Sequence, residues 1–216
     1  ARLTEALDIK KAPRKDVSKA YNTFKTAAIR PSGNGFTGAP IVAPDELNRQ
    51  KGEISLNDLE DMLSGFAYDA CYNHSAQSMK NYFLVWDYAI NQGFAFGSGM
   101  GTNHHYGYQI RKIYTTAWLM RDAIWKAPNR DNILSALIFW SALQETRIPY
   151  QYGRDELLDS WHTLLMPKTI SALMFVDERE RARALTGLSR WLSGSLQYSP
   201  GTIGGIKVDG TTFHHG

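Results

Sequence analysis

The stretch Ser55-Leu-Asn-Asp-Leu-Glu-Asp-Met-Leu-Ser-Gly-Phe-Ala-Tyr-Asp-Ala70 decides the fold class. Ser55 brings a side-chain oxygen suited to a helix N-cap, and Asp58 stands three residues on, where its carboxylate reaches back to the cap. Behind them Leu59, Met62, Leu63, Phe66 and Ala70 recur on one face at helical period. After a pause at Asn73-His-Ser75 the period resumes with Met79, Tyr82, Phe83, Trp86 and Ile90. Ser55 to Gln92 therefore reads as two consecutive helices, with His74 as a cap or turn residue between them.

On the N-terminal side, residues 2–28 read as helix through Leu3, Ala6, Leu7, Val17, Ala20, Tyr21, Phe24 and Ala28, broken or kinked at Pro13. Pro31 to Pro40 is a connection dense in glycine and proline. On the C-terminal side, helices are predicted from about Gly107 to Trp125, Asn132 to Thr146, Arg154 to Phe175 and Asp177 to Leu196. In the last, Glu178 and Glu180 can pair with arginines one turn on, and the charge run reads as a solvated face, not a nucleic-acid site. His162 falls in an apolar helix and is assigned a structural role. No segment alternates with period 2 over strand length. The expected fold class is all-α, a single helical domain over residues 1–216 with about six or seven antiparallel helices. A compact bundle satisfies this pattern, as does an incomplete α/α toroid of antiparallel helical hairpins. Long loops between hairpins favour the toroid, whose functional loops collect at one end.

Composition narrows the classes. Apolar content of 43% with 21% charge is that of a globular domain, and 216 residues suffice for one large core. The formal charge of +3 is compatible with a polyanionic substrate and equally with a slightly basic surface. Aromatic content is high at 12%; buried rings account for most of it, and a carbohydrate-facing groove would use a few. A single cysteine, Cys71, excludes an internal disulfide and any cysteine-rich metal site, and reads as a buried small hydrophobe. No apolar run approaches bilayer length. No signal peptide is present, and a first residue of Ala fits a processed or excised piece.

Four of the six histidines form adjacent pairs on glycine-rich stretches. His104-His105 follows Gly97-Ser-Gly-Met-Gly-Thr-Asn103, and His214-His215 ends the run that begins at Gly201. Histidine exchanges protons near neutral pH, and glycine lets backbone approach a ligand closely, so the pairs suit acid–base work. Imidazole is also a metal ligand, but no HExxH or equivalent carboxylate spacing accompanies either pair.

The surrounding residues add a resemblance. Asn103-His-His-Tyr-Gly-Tyr-Gln-Ile-Arg111 is similar to the His-His-aromatic-Gly-Tyr segment of bacterial chondroitin sulfate ABC lyases. Lys207-Val-Asp-Gly-Thr-Thr-Phe-His-His-Gly216 resembles the stretch that carries their catalytic histidine. Arg154-Asp-Glu-Leu-Leu-Asp159 and Leu192-Ser-Gly-Ser-Leu196 fall where the family has similar segments. The likeness covers about residues 95–216 well and the N-terminal part in helical character only. It implies a polysaccharide lyase of the group that includes hyaluronate and chondroitin AC lyases, whose members join an incomplete α/α toroid to large β-domains. The chain would then be the helical catalytic region without those domains. Its partners would be an acidic polysaccharide and the remaining domains of the same enzyme, with no nucleic acid and no membrane. A bacterial periplasmic or secreted location goes with that reading. No cofactor is required, with room for a divalent cation such as calcium.

The resemblance also assigns roles. Lyases of this kind break the bond to the uronic acid C4 oxygen by β-elimination after loss of the C5 proton. His215 matches the catalytic histidine beside the uronate, and His105 matches a residue implicated with iduronate, whose C5 proton lies on the opposite face. Asn103, His104, His214 and Arg111 are the substrate-binding candidates; packing or pairing is the other reading of Arg111, and of Trp118 on the same helix. The tyrosine acting as acid and base is expected seven positions past His215, and an arginine and a glutamate later still. These residues alone are therefore expected to turn over little or no substrate. Two alternatives stay open. One is a carbohydrate-binding helical domain. The other is a different α/α-toroid enzyme, such as a two-carboxylate glycoside hydrolase drawing on Asp155, Glu156 and Asp159.

Overall fold

A computed structural model describes residues 14–33, 35–42, 50–98, 100, 106–142, 156–195, 205–206 and 212–213, of which 156–162, 194–195, 205–206 and 212–213 are described as backbone only. Among these residues the fold class is all-α, as expected, with three two-stranded pairings attached.

Helix α1 (Arg14–Ala27) begins directly after Pro13. Ala28 then adopts a left-handed φ of 48° and turns the chain out. The segment beyond it, which sequence reads as a connection, forms a small hairpin: β1 (Arg30–Ser32) pairs antiparallel with β2 (Gly35–Thr37). Strands of three residues are too short to display alternation, which is why the sequence hides them. Strand β2 lies on a later helix, where Asn91 Nδ2 donates to the Phe36 carbonyl at 3.2 Å. A Cβ on Gly35 would come within 1.9 Å of that same nitrogen. Strand β3 (Ile41–Val42) pairs parallel with β4 (Ile54–Ser55).

Helix α2 (Leu56–Tyr72) starts on the expected capping box. The Asp58 N–H donates to Ser55 Oγ at 3.1 Å, and the Ser55 N–H donates to Asp58 Oδ2 at 3.0 Å. Leu59, Met62, Leu63 and Phe66 have no exposed surface. His74, with φ of 56°, makes the turn to α3 (Ala76–Asn91), in keeping with its assignment. Cys71 is half-buried against the core, its thiol 3.3 Å from Met120 Sδ.

The helix expected from Gly107 to Trp125 is two: α4 (Tyr106–Leu119) and α5 (Arg121–Ile124). Just before the break, Thr115 and Thr116 hydroxyls both donate back to the Lys112 carbonyl, at 3.2 and 2.6 Å, a habit that loosens the helical ladder. Next come α6 (Arg130–Ala142), α7 (Glu156–Leu173) with Pro167 inside it, and α8 (Glu178–Ser195). The first turn of α8 is held by Asp177, whose carboxylate accepts the Arg179 and Glu180 N–H groups at 2.9 Å each. Among the described residues Glu178 and Glu180 form no ion pair. Strand β5 (Gly205–Ile206) pairs antiparallel with β6 (Thr212–Phe213).

Helix α2 packs on α1, α3 and α4; α4 packs on α7; α7 packs on α6 and α8; and α3 reaches α6. Helices α2, α4 and α7 therefore lie side by side, with α3 and α6 behind them. Between them the core is aromatic: Phe66, Tyr82, Trp86, Tyr88, Phe94, Tyr106, Tyr114 and Trp140 are all fully buried. Two of the buried phenols donate to carbonyls, Tyr114 to that of Leu137 at 2.6 Å and Tyr88 to that of Ala39, while the Tyr82 hydroxyl has no hydrogen-bond partner among the described residues.

Candidate active site

Two residues that flank the histidine-bearing stretch between α3 and α4, Phe94 and Tyr106, share one partner, Trp140. Phe94, fully buried after the end of α3, stacks on Trp140 of α6 with ring centroids 4.6 Å apart and planes 14° from parallel. Tyr106, the first residue of α4, meets the same indole edge-on at 6.1 Å, and its hydroxyl donates to the Trp140 carbonyl at 2.8 Å. The next residue, Gly107, presses against α7, where a Cβ would stand 2.5 Å from Thr163 Oγ1. That close approach requires glycine.

Asn103, His104, His105, His214 and His215 lie outside the described residues, as does Asp155. In sequence His105 directly precedes Tyr106, and His214 directly follows Phe213 at the end of β6. Arg111 is on α4, half-buried, its guanidinium 5.9 Å from the centre of the Tyr108 ring. Trp118 packs under the Arg121 guanidinium at 4.6 Å, in line with the packing reading.

One carboxylate escaped the sequence reading. Glu60 of α2 is 7% exposed, and its Oε1 accepts the Lys112 backbone N–H of α4 at 2.6 Å. Burial pushes its carboxyl up to about 7. The Lys112 hydrogen bond and the charges of Lys112 and Arg111 oppose that rise, while Asp61 adds to it. Glu60 faces a cavity of about 260 Å³ whose walls include Tyr108, Arg111, Lys112, Thr115 and Met166. The signal was available: Leu56, Glu60, Leu63 and Ala67 recur at helical spacing, so an acid stands in an otherwise apolar row.

No helix among the described residues is long and apolar enough to cross a membrane, and no metal-holding group of His, Cys, Asp or Glu occurs among them. The family model described as "Lyase, catalytic" matches residues 1–216. The chain belongs to this lyase family. Chondroitin sulfate ABC exolyase of Bacteroides thetaiotaomicron is 34% identical over 142 residues, 64% of this lyase chain and 14% of that protein. Chondroitin sulfate ABC endolyase of Proteus vulgaris is 25% identical over 224 residues, 94% of this chain and 22% of that protein. The exolyase of the same organism is 30% identical over 178 residues, 77% of this chain and 18% of its own length. The chain thus spans between 14% and 22% of the length of these relatives.

Proposed function

We propose that the chain is the helical catalytic region of a glycosaminoglycan lyase that cleaves chondroitin sulfate and dermatan sulfate at the uronic acid C4–O bond. The observation that carries this is the lyase family's match to all of residues 1–216, on a chain whose relatives are chondroitin sulfate ABC lyases. The helix packing supports an incomplete α/α toroid, since α2, α4 and α7 alternate with α3 and α6 between two layers. The β-domains of the full-length enzyme would be its covalent partners. A large polyanionic substrate supports a location in the periplasm or outside the bacterium.

In the elimination, a base takes the C5 proton, the freed electron pair forms the C4–C5 double bond, and the C4–O bond breaks to an oxygen that an acid protonates. The C5 proton is weakly acidic while the neighbouring carboxylate keeps its charge. The site must therefore neutralise that carboxylate as well as move protons. His215 acts beside the uronate carboxylate and C5, and His105 serves iduronate from the opposite face. Asn103, His104, His214 and Arg111 hold the substrate. No cofactor takes part in these steps; a bound divalent cation such as calcium would serve architecture.

The test follows unsaturated product in the ultraviolet with the full-length protein on both polymers. His215→Ala is expected to abolish turnover and keep substrate binding. A wild-type protein that binds chondroitin sulfate and forms no unsaturated product would be a binding module, and the proposal would be wrong.

A further inference from the structure

We propose that the cavity between α2, α4 and α7 is a subsite for an anionic sugar unit, its anion held between Arg111 and Lys112 and a sugar hydroxyl bonded to Glu60. The inference rests on the lyase reading above and adds to it a place where the polysaccharide is recognised away from the reacting bond.

Placement comes first. Tyr108, Arg111, Lys112 and Thr115 follow helical spacing along α4 and form one stripe on its surface. From Tyr106 to Arg111 the helix rises about 7.5 Å. The cavity therefore lies about one to two turns along α4 from its first residue, which His105 directly precedes in sequence. Its volume of about 260 Å³ is below the roughly 300 Å³ at which pockets for drug-sized ligands begin, which suits one ring and its substituent.

The chemistry of the walls selects the ligand. Lys112 is exposed and Arg111 half-buried, and neither forms an ion pair among the described residues. The Tyr108 ring under the Arg111 guanidinium orients that group and leaves its planar fork for an oxyanion. Glu60 supplies the unusual feature. An acid more than nine-tenths buried is expensive unless it is paired, and a packing role at this position needs only a leucine. Among the described residues its hydrogen bonding is confined to Oε1, and Glu60 is among the residues lining the cavity. Thr115 donates its proton to the Lys112 carbonyl, so its oxygen is left to accept.

Charge balance allows an anion here. With a carboxyl lifted to about 7, Glu60 is protonated part of the time near neutrality, and a nearby anion favours that form. The charged groups around it are Arg111 and Lys112 on α4 and Asp61 on α2, the last paired with Lys19 of α1 at 2.5 Å. The α7 residue on the cavity wall, Met166, does not titrate.

The experiment uses the full-length protein, sulfated chondroitin and chemically desulfated chondroitin. Glu60→Gln keeps an acceptor for the Lys112 N–H, so a mere staple between helices would tolerate it. We expect Glu60→Leu and Lys112→Gln each to raise KM on the sulfated polymer about tenfold, more than either lowers kcat, with Lys112→Arg restoring most of the loss and Glu60→Gln, which stands in for the neutral acid, keeping most of the affinity. If the rise disappears on desulfated polymer the anion is the sulfate ester; if it persists the anion is a neighbouring uronate carboxylate. KM unmoved on both polymers, with or without a lower melting temperature, overturns the subsite. A wild-type protein that makes no unsaturated product is a different failure, that of the lyase reading itself, and calorimetric binding of a chondroitin sulfate tetrasaccharide separates the two.

Discussion

Glu60 occupies a place where helical period asks for a hydrocarbon, and that has a consequence for stability that pH exposes. Its folded carboxyl stands at about 7 against 4.5 for the free side chain. Between those values the folded protein keeps a proton that the unfolded chain has released. The native state therefore binds more protons, and stability falls as pH rises through this window, with the penalty complete above 7 and absent below 4.5. Glu60→Gln removes the penalty. Denaturant unfolding followed by tryptophan fluorescence should show the variant about 1–2 kcal/mol more stable than wild type at pH 8, below a ceiling of about 3 kcal/mol set by the shift. Near pH 4.5 the difference should disappear. An equal difference at both pH values would mean that Glu60 does not titrate there. His105 carries a prediction of another kind. Epimers at C5 present their proton on opposite faces, so a base that serves one face matters little to the other. His105→Ala is expected to lower turnover of dermatan sulfate about 100-fold and that of chondroitin sulfate much less, read from initial rates of unsaturated product. Equal losses on the two polymers would assign His105 to substrate holding instead.

Helix α2 was readable because every local signal on it agrees. Ser55 and Asp58 make the box that their spacing announces, and Leu59, Met62, Leu63 and Phe66 go inside. Ser55→Ala should therefore lose about 1 kcal/mol, measured by the same unfolding. Gly65 shows where local preference stops being a guide. In an exposed helix an alanine there would gain about 1 kcal/mol. Here the added methyl would meet the Ala20 Cβ and the Asp16 carbonyl oxygen of α1, each at 2.5 Å. Gly65→Ala is expected to destabilise by about 1–3 kcal/mol, since backbone does not yield as a flexible side chain does. A gain would show that α1 can move away from α2. The β1–β2 hairpin was not readable, because its strands are held by a later helix through Asn91 and carry no period of their own. Nor was the α4–α5 break: Thr115 and Thr116 look like ordinary helical residues until their hydroxyls bond back to Lys112.

Across the molecule, what sequence conveys and what it hides divide along contact range. Amphipathic helices declare themselves within a few turns, and the histidine pairs stand out by adjacency and by the glycines before them. Trp140 does not, since its part in anchoring Phe94 and Tyr106 depends on residues 46 and 34 positions away in sequence. The cavity beside Glu60 is likewise a product of three helices meeting. The same division bears on what these 216 residues can do unaided. Their described helices bury a continuous core rich in aromatic residues. The reaction asks for more: an acid–base group at the leaving oxygen and fixed positive charge against the uronate carboxylate. On the proposed reading, the tyrosine, arginine and glutamate that would supply these are expected outside the 216 residues. A general acid–base group contributes about 10²–10⁴ in rate and one electrostatic donor about 10²–10³. Omitting both should leave the isolated chain about 10⁴-fold or more below the full-length enzyme, while chondroitin sulfate still binds. Parallel assays at equal concentration, with binding measured alongside turnover, decide it. Turnover by the isolated chain within about 100-fold of the full-length protein would mean that the acid and base are among residues 1–216.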